Sequence, residues 1–367
     1  MTEKNAILLR ILLRTCVFLM AIGVLVREIS CNRPQRKADD APAGSAVASH
    51  TYITYAFDTK CSLSLWGDEV VADQAATEAI QLLNRLHATL NRFDEASELS
   101  QFNATPPNVP FVCSDLLWMA FVSAKDAYAI TNGTFDVTIG PLMTYWKRVA
   151  MHPEQEYSPA ELADVQACTG FDKLLLNEAE HTVTKSQEGM MVDFGGLAKG
   201  LALDLVSPLV KRQGISRILL DLGGNLYLDN PDELPEAGDV FIRNPTPGEQ
   251  PAEQMLIKLT NANRRFIATS ANSERPLSAK GDHFIGHIMD PRTGKPATAM
   301  MQVTAVTISG VHSDVFSTAV FIGGTALAEQ LAHDHPDTGF VLLATDATAP
   351  LSIGNAELAT LNPKQPK

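Results

Sequence analysis

The chain has 367 residues, 45% of them hydrophobic, enough to bury a large core as one big domain or two smaller ones. Its net charge of −13 speaks against nucleic acid as a partner, because phosphate backbones need a basic face. One anionic small molecule stays admissible if a metal or helix termini supply local positive potential.

The N-terminal stretch "AILLRILLRTCVFLMAIGVLV" is apolar, interrupted by Arg10 and Arg14. Residues 1–31 are expected to be a signal or membrane anchor. The basic residues Lys4, Arg10 and Arg14 precede the apolar run, which predicts an exported body facing the periplasm and held to the membrane. Cys31 in "REISC" opens a lipoprotein reading beside that of an uncleaved anchor, although Glu28 stands where a lipobox wants an apolar residue. Residues 32–50 are polar and without hydrophobic period, a flexible tether. Cys61, Cys113 and Cys168 remain for the body, with no CxxC, so neither a zinc site nor a disulfide framework is suggested.

The body, residues 51–360, starts with strand-like alternation in "TYITYAFDTKCSLSLW". An amphipathic helix is predicted over 73–93, with Ile80, Leu83, Leu86 and Leu90 as its stripe and His87 off it, in solvent. A second helix is predicted over 114–131, capped by Ser114. The segment "TNGTFDVTIGPLMTYW" reads as a loop that turns into a strand. "MVDFGGLAKGLALDLV" reads as a strand opening through glycines into a helix over 198–213, with Pro208 inside it. Such a strand–glycine–helix turn can hold a phosphate or serve as a plain tight turn. "RILLDL", "MLIKL", "RFIAT", "VTAVTIS" and "GFVLLAT" read as strands, with helices after Ser313 and at "TALAEQLAHD". Neither "LDLGGN" nor "GGLAKG" completes a Rossmann or P-loop fingerprint.

Three further features carry chemistry. His287 alternates with Met289 on a predicted strand before the "DPRTG" turn, and suits a general base better than a metal ligand paired with His283. Asp314 and Thr318 lie four apart, on one helix face, a hard oxygen pair suited to Mg²⁺; an Asp favoured by the helix dipole explains the same spacing. Asp136 reads as either a backbone cap or a site residue.

In this order, "FDEASELSQFN", "GTFDVTIGPL", "VDFGGLAKGLALD", "LDLGGN", "ATSAN", "HIMDPRTGKP" and "SDVFSTAVFIGG" resemble the ApbE-type FAD:protein FMN transferases. The resemblance implies an α+β, T-fold-like architecture with duplicated, intertwined halves in one domain. It implies that FAD, as substrate, is split, that FMN passes to a Ser or Thr hydroxyl of a target flavoprotein, and that AMP leaves. The acceptor would carry a "D-x-x-[ST]-G-A-[ST]"-like segment. Mg²⁺ would be held by Asp314, Thr318, Ser317 and the carbonyl of Gly196, and His287 would take the acceptor's proton. Flavin and adenine contacts would fall on Phe57, Phe93, Thr134, Phe135, Asp136, Asp193 and Met289. The chain departs from the family at Phe57 and Asp58, where Met and Gly are usual, at Phe93 for Tyr, and at Ala271 for Gly. An FAD pyrophosphatase and a non-catalytic FAD-binding protein are the competing readings of the same site.

Overall fold

The computed structural model describes residues 48–152, 157–231, 240–243, 245, 255–260, 262–272, 276–280, 283–345, 347 and 349–360. The expected anchor and nearly all of the tether lie outside the described residues, as does the tail beyond 360.

The described body begins with a hairpin of β1 (Ser49–Ala56) and β2 (Thr59–Trp66). Its two-residue turn, Phe57–Asp58, has φ of 53° and 56°, the left-handed geometry that matches strand twist but disfavours side chains. His87 Nδ1 accepts the Phe57 N–H at 3.1 Å and helps to hold that turn. His87 is therefore half-buried, edge-on to the Phe57 ring, and not the solvated residue expected from its place off the stripe.

Helix α1 (Glu69–Leu90) starts a turn earlier than its hydrophobic period indicates, because Asp68 caps it by accepting from the Val70 and Val71 N–H groups. Two helices follow, α2 (Glu98–Ala104) and α3 (Asp115–Ile130), the latter capped by Ser114 as expected. The "GPLMTYW" segment forms a helix, α4 (Gly140–Met151), instead of leading into a strand; Pro141 fits its first turn, where no N–H is needed. α5 (Pro159–Ala167) completes this group. α6 (Ala198–Arg212) continues through Pro208. α7 (Gly310–Asp334) merges the last two expected helices across Gly324, whose φ of 72° and ψ of −162° interrupt the helix.

The remaining strands of the main sheet are β3 (Arg217–Leu222), β4 (Asn225–Asp229), β5 (Arg265–Ala271), β6 (Met300–Thr307), β7 (Gly339–Ala344) and β8 (Leu351–Gly354). They form one eight-stranded sheet in chain order, β1 to β8, with every neighbouring pair antiparallel. The order strand–strand–helix–strand–strand occurs twice along it, and α2 to α6 interrupt the first run.

Alternation along the strands divides the core. Phe266, Val303 and Ala305 face the large cluster built with α1, α6 and α7, while Ile267 and Val306 face the other side. There a small sheet of residues 240–243, 255–259 and 358–360 covers them, through Val240, Ile242 and Leu259. A third cluster joins α4 and α5 to Met289. The mixed helix-and-sheet class expected from sequence is the one observed.

Candidate active site

Two glycines bring α6 and α7 together. A Cβ on Gly200 would stand 2.2 Å from the Gly310 carbonyl oxygen, and one on Gly310 would stand 2.3 Å from the Gly200 oxygen. Asp204, a turn further along α6, accepts from Gly310 N (2.6 Å), Val311 N (2.8 Å) and Ser309 Oγ (3.0 Å). It thereby satisfies free donors at the start of α7. This crossing places Asp314, 4% exposed, against α6: its Oδ2 accepts the Gly200 N–H at 3.0 Å and its Oδ1 lies 3.6 Å from Lys199 Nζ.

Asp314 faces a cavity of about 310 Å³, at the low end of the range of small-molecule sites. Thr318 and Gly196 line it as well, and Thr318 Oγ1 hydrogen-bonds to Ser270 Oγ at 3.0 Å. Ser317 does not line it: its buried hydroxyl donates to the Asp314 carbonyl and contacts Ser270 Oγ, both at 2.9 Å. Helical spacing put Ser317 near Asp314 but could not show that Ser270, from β5, engages its oxygen. Among the described residues no group of three His, Cys, Asp or Glu side chains forms a metal cluster. Beside Asp314 the cavity gathers the Thr318 hydroxyl and Gly196, and oxygen donors of this kind fit a hard cation such as Mg²⁺.

The loop before α6 forms a second wall. Its "MVD" start is not a strand; Met191 makes only an isolated bridge to Ile139. Asn103 fixes the loop through both amide atoms, accepting from Val192 N (2.8 Å) and donating to Val192 O (2.9 Å). Asp193 lines the cavity, accepts from Gly195 N at 2.8 Å and pairs with Arg92 Nε at 2.7 Å. Sequence reading missed Arg92, which lies 101 positions away.

Thr134, Phe135 and Asp136 line the third wall. Asp136 is 6% exposed, and its carboxylate accepts from Thr138 N, Thr138 Oγ1 and Phe171 N. Burial raises its pKa, opposed by those hydrogen bonds. The backbone-cap reading of Asp136 is thus observed, at a position that also lines the cavity. Gly196 packs on Phe135, where a Cβ would stand 3.0 Å from the ring.

His287 and Met289 complete the enclosure. His287 occupies a bend, and the short strand begins only at Met289. Asn272 pins the segment by accepting from Ile288 N (3.2 Å) and donating to Ala297 O (3.0 Å). Gly286 is needed there, since a Cβ would fall 2.2 Å from the Asn272 amide nitrogen. Phe57 and Phe93 stay outside the cavity lining. The Phe93 ring is 66% exposed, with the Arg92 guanidinium 4.5 Å from its centroid.

An antiparallel sheet backed by helices, enclosing a cavity that joins hard oxygen donors to an aromatic and a histidine, has the make-up of a small-molecule enzyme. The chain belongs to the ApbE family, which it matches over residues 57–342. It is similar to the FAD:protein FMN transferase of Haemophilus influenzae, at 26% identity over 334 residues, covering 89% of this chain and 92% of that one. The FAD:protein FMN transferase of Salmonella typhimurium is 26% identical over 306 residues, covering 80% and 84%. Among solved structures, the flavin transferase ApbE from Vibrio cholerae aligns with a TM-score of 0.68 at 23% identity, over 84% of this chain and 97% of that one. The ApbE protein of Thermotoga maritima aligns at 0.72 and 20% identity, over 83% and 97%. At such identities the structural likeness speaks for the fold.

Proposed function

We propose that this protein is an Mg²⁺-dependent FAD:protein FMN transferase, exported and membrane-anchored with its body in the periplasm. The observation that carries the reading is convergence: residues from five separate segments, around Phe135, Asp193, Ser270, His287 and Asp314, meet at one cavity. The relatives' shared activity agrees with it.

In the proposed reaction a Ser or Thr hydroxyl of the acceptor attacks the FMN-side phosphorus of FAD. A new P–O bond forms, the bridging P–O bond breaks, and AMP leaves with the bridging oxygen. His287 would accept the hydroxyl proton as general base, a role imidazole side chains commonly fill. Asp314, Thr318 and the Gly196 carbonyl would hold Mg²⁺, which when bound supplies charge neutralisation at the pyrophosphate. Lys199 lines the same cavity and places a second cation there. Phe135, the aromatic in this lining, would contact an aromatic portion of FAD. Asp136 and Met289 line the same cavity and would contact FAD as well.

The test is to incubate the purified protein with FAD, Mg²⁺ and an acceptor bearing a D-x-x-[ST]-G-A-[ST]-like segment, then to record intact masses. An acceptor heavier by one FMN, with AMP released, is expected. Free FMN and AMP beside an unmodified acceptor would replace transfer by hydrolysis, and FAD bound but intact would replace catalysis by storage.

A further inference from the structure

The ladder between β4 and β5 pairs Leu228 with Arg265, Tyr227 with Phe266 and Leu226 with Ile267, and no further pair follows among the described residues. β5 nevertheless runs on to Ala271, paired there with β6. Where β4 and β5 part, Thr59, Gly223, Asn225, Thr269 and Ser270 line the cavity. This wall has no aromatic, no bulky apolar side chain and no carboxylate. It has little to offer the face of a ring and much to offer oxygen atoms.

Asn225 is the first residue of β4, directly after a turn of Gly223 and Gly224 with φ of 66° and 93°. The turn sits so close to β2 that a Cβ on Gly223 would lie 2.3 Å from Thr59 Oγ1. Asn225 is 3% exposed, and its Nδ2 is buried with no hydrogen-bond partner among the described residues. Its neighbours on this wall are engaged: Thr269 Oγ1 with Thr304 Oγ1 at 2.8 Å, and Ser270 Oγ with Ser317 and Thr318. Buried amide donors are nearly always paired, so an orphan at a cavity wall points to a partner supplied by the ligand.

We propose that Asn225 is a further substrate-binding residue, its Nδ2–H donating to a phosphoryl oxygen of the dinucleotide. The inference rests on the reading that the substrate is FAD, and it adds a neutral donor to the cations Lys199 and Mg²⁺ at the pyrophosphate. Phosphoryl oxygen is favoured over a ring atom because the wall is small and polar and because Lys199 lines the same cavity.

The test uses the full chain in one Mg²⁺ buffer, titrated calorimetrically with FAD, ADP, adenosine and riboflavin, for the parent, Asn225→Ala and the isosteric Asn225→Asp. A hydrogen bond to a charged group is lost, so ADP and FAD are expected to bind about tenfold or more weakly to Asn225→Ala. Asn225→Asp should lose more, since it sets a carboxylate against the phosphate. Adenosine and riboflavin, which carry the two ends of FAD without its phosphates, should bind as before. The melting temperature of ligand-free Asn225→Ala should not fall, because no intramolecular bond is removed. Unchanged ADP affinity in Asn225→Ala overturns the assignment. So does an equal loss for riboflavin or adenosine, which would move the contact to a ring or sugar. If Asn225→Ala fails to fold, Asn225→Asp carries the test alone, and parent-like ADP affinity in it is equally fatal. A parent protein that binds neither FAD nor ADP would instead defeat the FAD reading itself.

Discussion

Substituting Gly200 by Ala tests whether the α6–α7 crossing positions Asp314, the carboxylate proposed to hold Mg²⁺. The added Cβ would meet the Gly310 oxygen at 2.2 Å, the Gly310 carbonyl carbon at 2.7 Å and Asp314 Cβ at 2.8 Å. Two of these atoms are backbone, so no rotamer change relieves the contact. Reaching ordinary van der Waals separation requires the helices to part by about 1 Å. Overpacking of this kind costs about 1–3 kcal/mol. The Gly200 N–H to Asp314 Oδ2 hydrogen bond, 3.0 Å long, is stretched in the same movement, and a bond to a charged group is worth about 1.5–3 kcal/mol. Alanine's better helix propensity returns about 1 kcal/mol. The expected net loss is about 1.5–5 kcal/mol, or roughly 3–15 °C in Tm by the usual scaling for large domains. Thermal scans in EDTA give that shift. A titration of FMN transfer against Mg²⁺ should show its midpoint raised about tenfold, since Asp314 moves with α7, an effect of about 1.4 kcal/mol. A variant as stable as the parent with an unchanged Mg²⁺ midpoint would refute the reasoning, because the helices would then have absorbed the methyl group without moving the carboxylate.

Three other outcomes are expected. Asp314→Ala should abolish Mg²⁺-dependent labelling of the acceptor, and full activity by intact mass would remove Asp314 from the metal site. His287→Ala should leave FAD affinity intact while slowing transfer by about 10²–10⁴-fold, the usual worth of general base catalysis; an unchanged single-turnover rate would dismiss it. His312, stacked on Phe316 with ring centroids 4.7 Å apart, has its pKa lowered first by burial and then by His335, against the pull of Asp204 and Asp126. A depressed value in the fold means stability present above the unfolded pKa of about 6.5 and lost as pH falls through the lower folded value. Tm should therefore drop on acidification below about pH 6.5, and His312→Gln should flatten that part of the profile; an equal slope in the variant would assign it to other groups.

Much of the fold was legible because periodicity reports burial. "RILLDL" and "MLIKL" coincide with observed strands, and the Leu83, Leu86 and Leu90 stripe is buried on α1. Boundaries failed where a side-chain cap outranked hydrophobic pattern, as Asp68 does ahead of the Val70–Val71 pair. The "GPLMTYW" helix was hidden by its Gly-Pro start, which reads as a turn until the later residues are seen to pack with Met289. At the site, spacing placed Asp314 and Thr318 on one helix face, and the structure brings both to the cavity. Spacing carried nothing about what faces them. Arg92 opposite Asp193, Ser270 beside Ser317 and Asn272 beneath His287 all come from distant segments. An asparagine after "GG" carries no pattern that separates a turn residue from a ligand donor, so Asn225 became visible only through its burial and its missing partner.

At a net charge of −13, room for one anionic small molecule depends on local potential, and that depends on how the cavity's carboxylates are answered one by one. Asp193 is paired with Arg92, and Asp314 meets Lys199 and the Gly200 N–H. Asp136 is turned to three donors from Thr138 and Phe171, and burial raises its pKa. Field at a site depends on nearby charges, because those beyond about 8–10 Å across solvent are screened at physiological ionic strength. Two cations therefore stand against three carboxylates, one of them with its pKa raised by burial, while the excess acidic residues elsewhere act chiefly on solubility and on the approach of other macromolecules. It follows that FAD affinity should respond far more to removal of Lys199 or Arg92 than to neutralising several remote surface carboxylates, although the latter change the net charge more. The opposite ranking would mean that long-range charge, not the pairing within the cavity, governs access to the site.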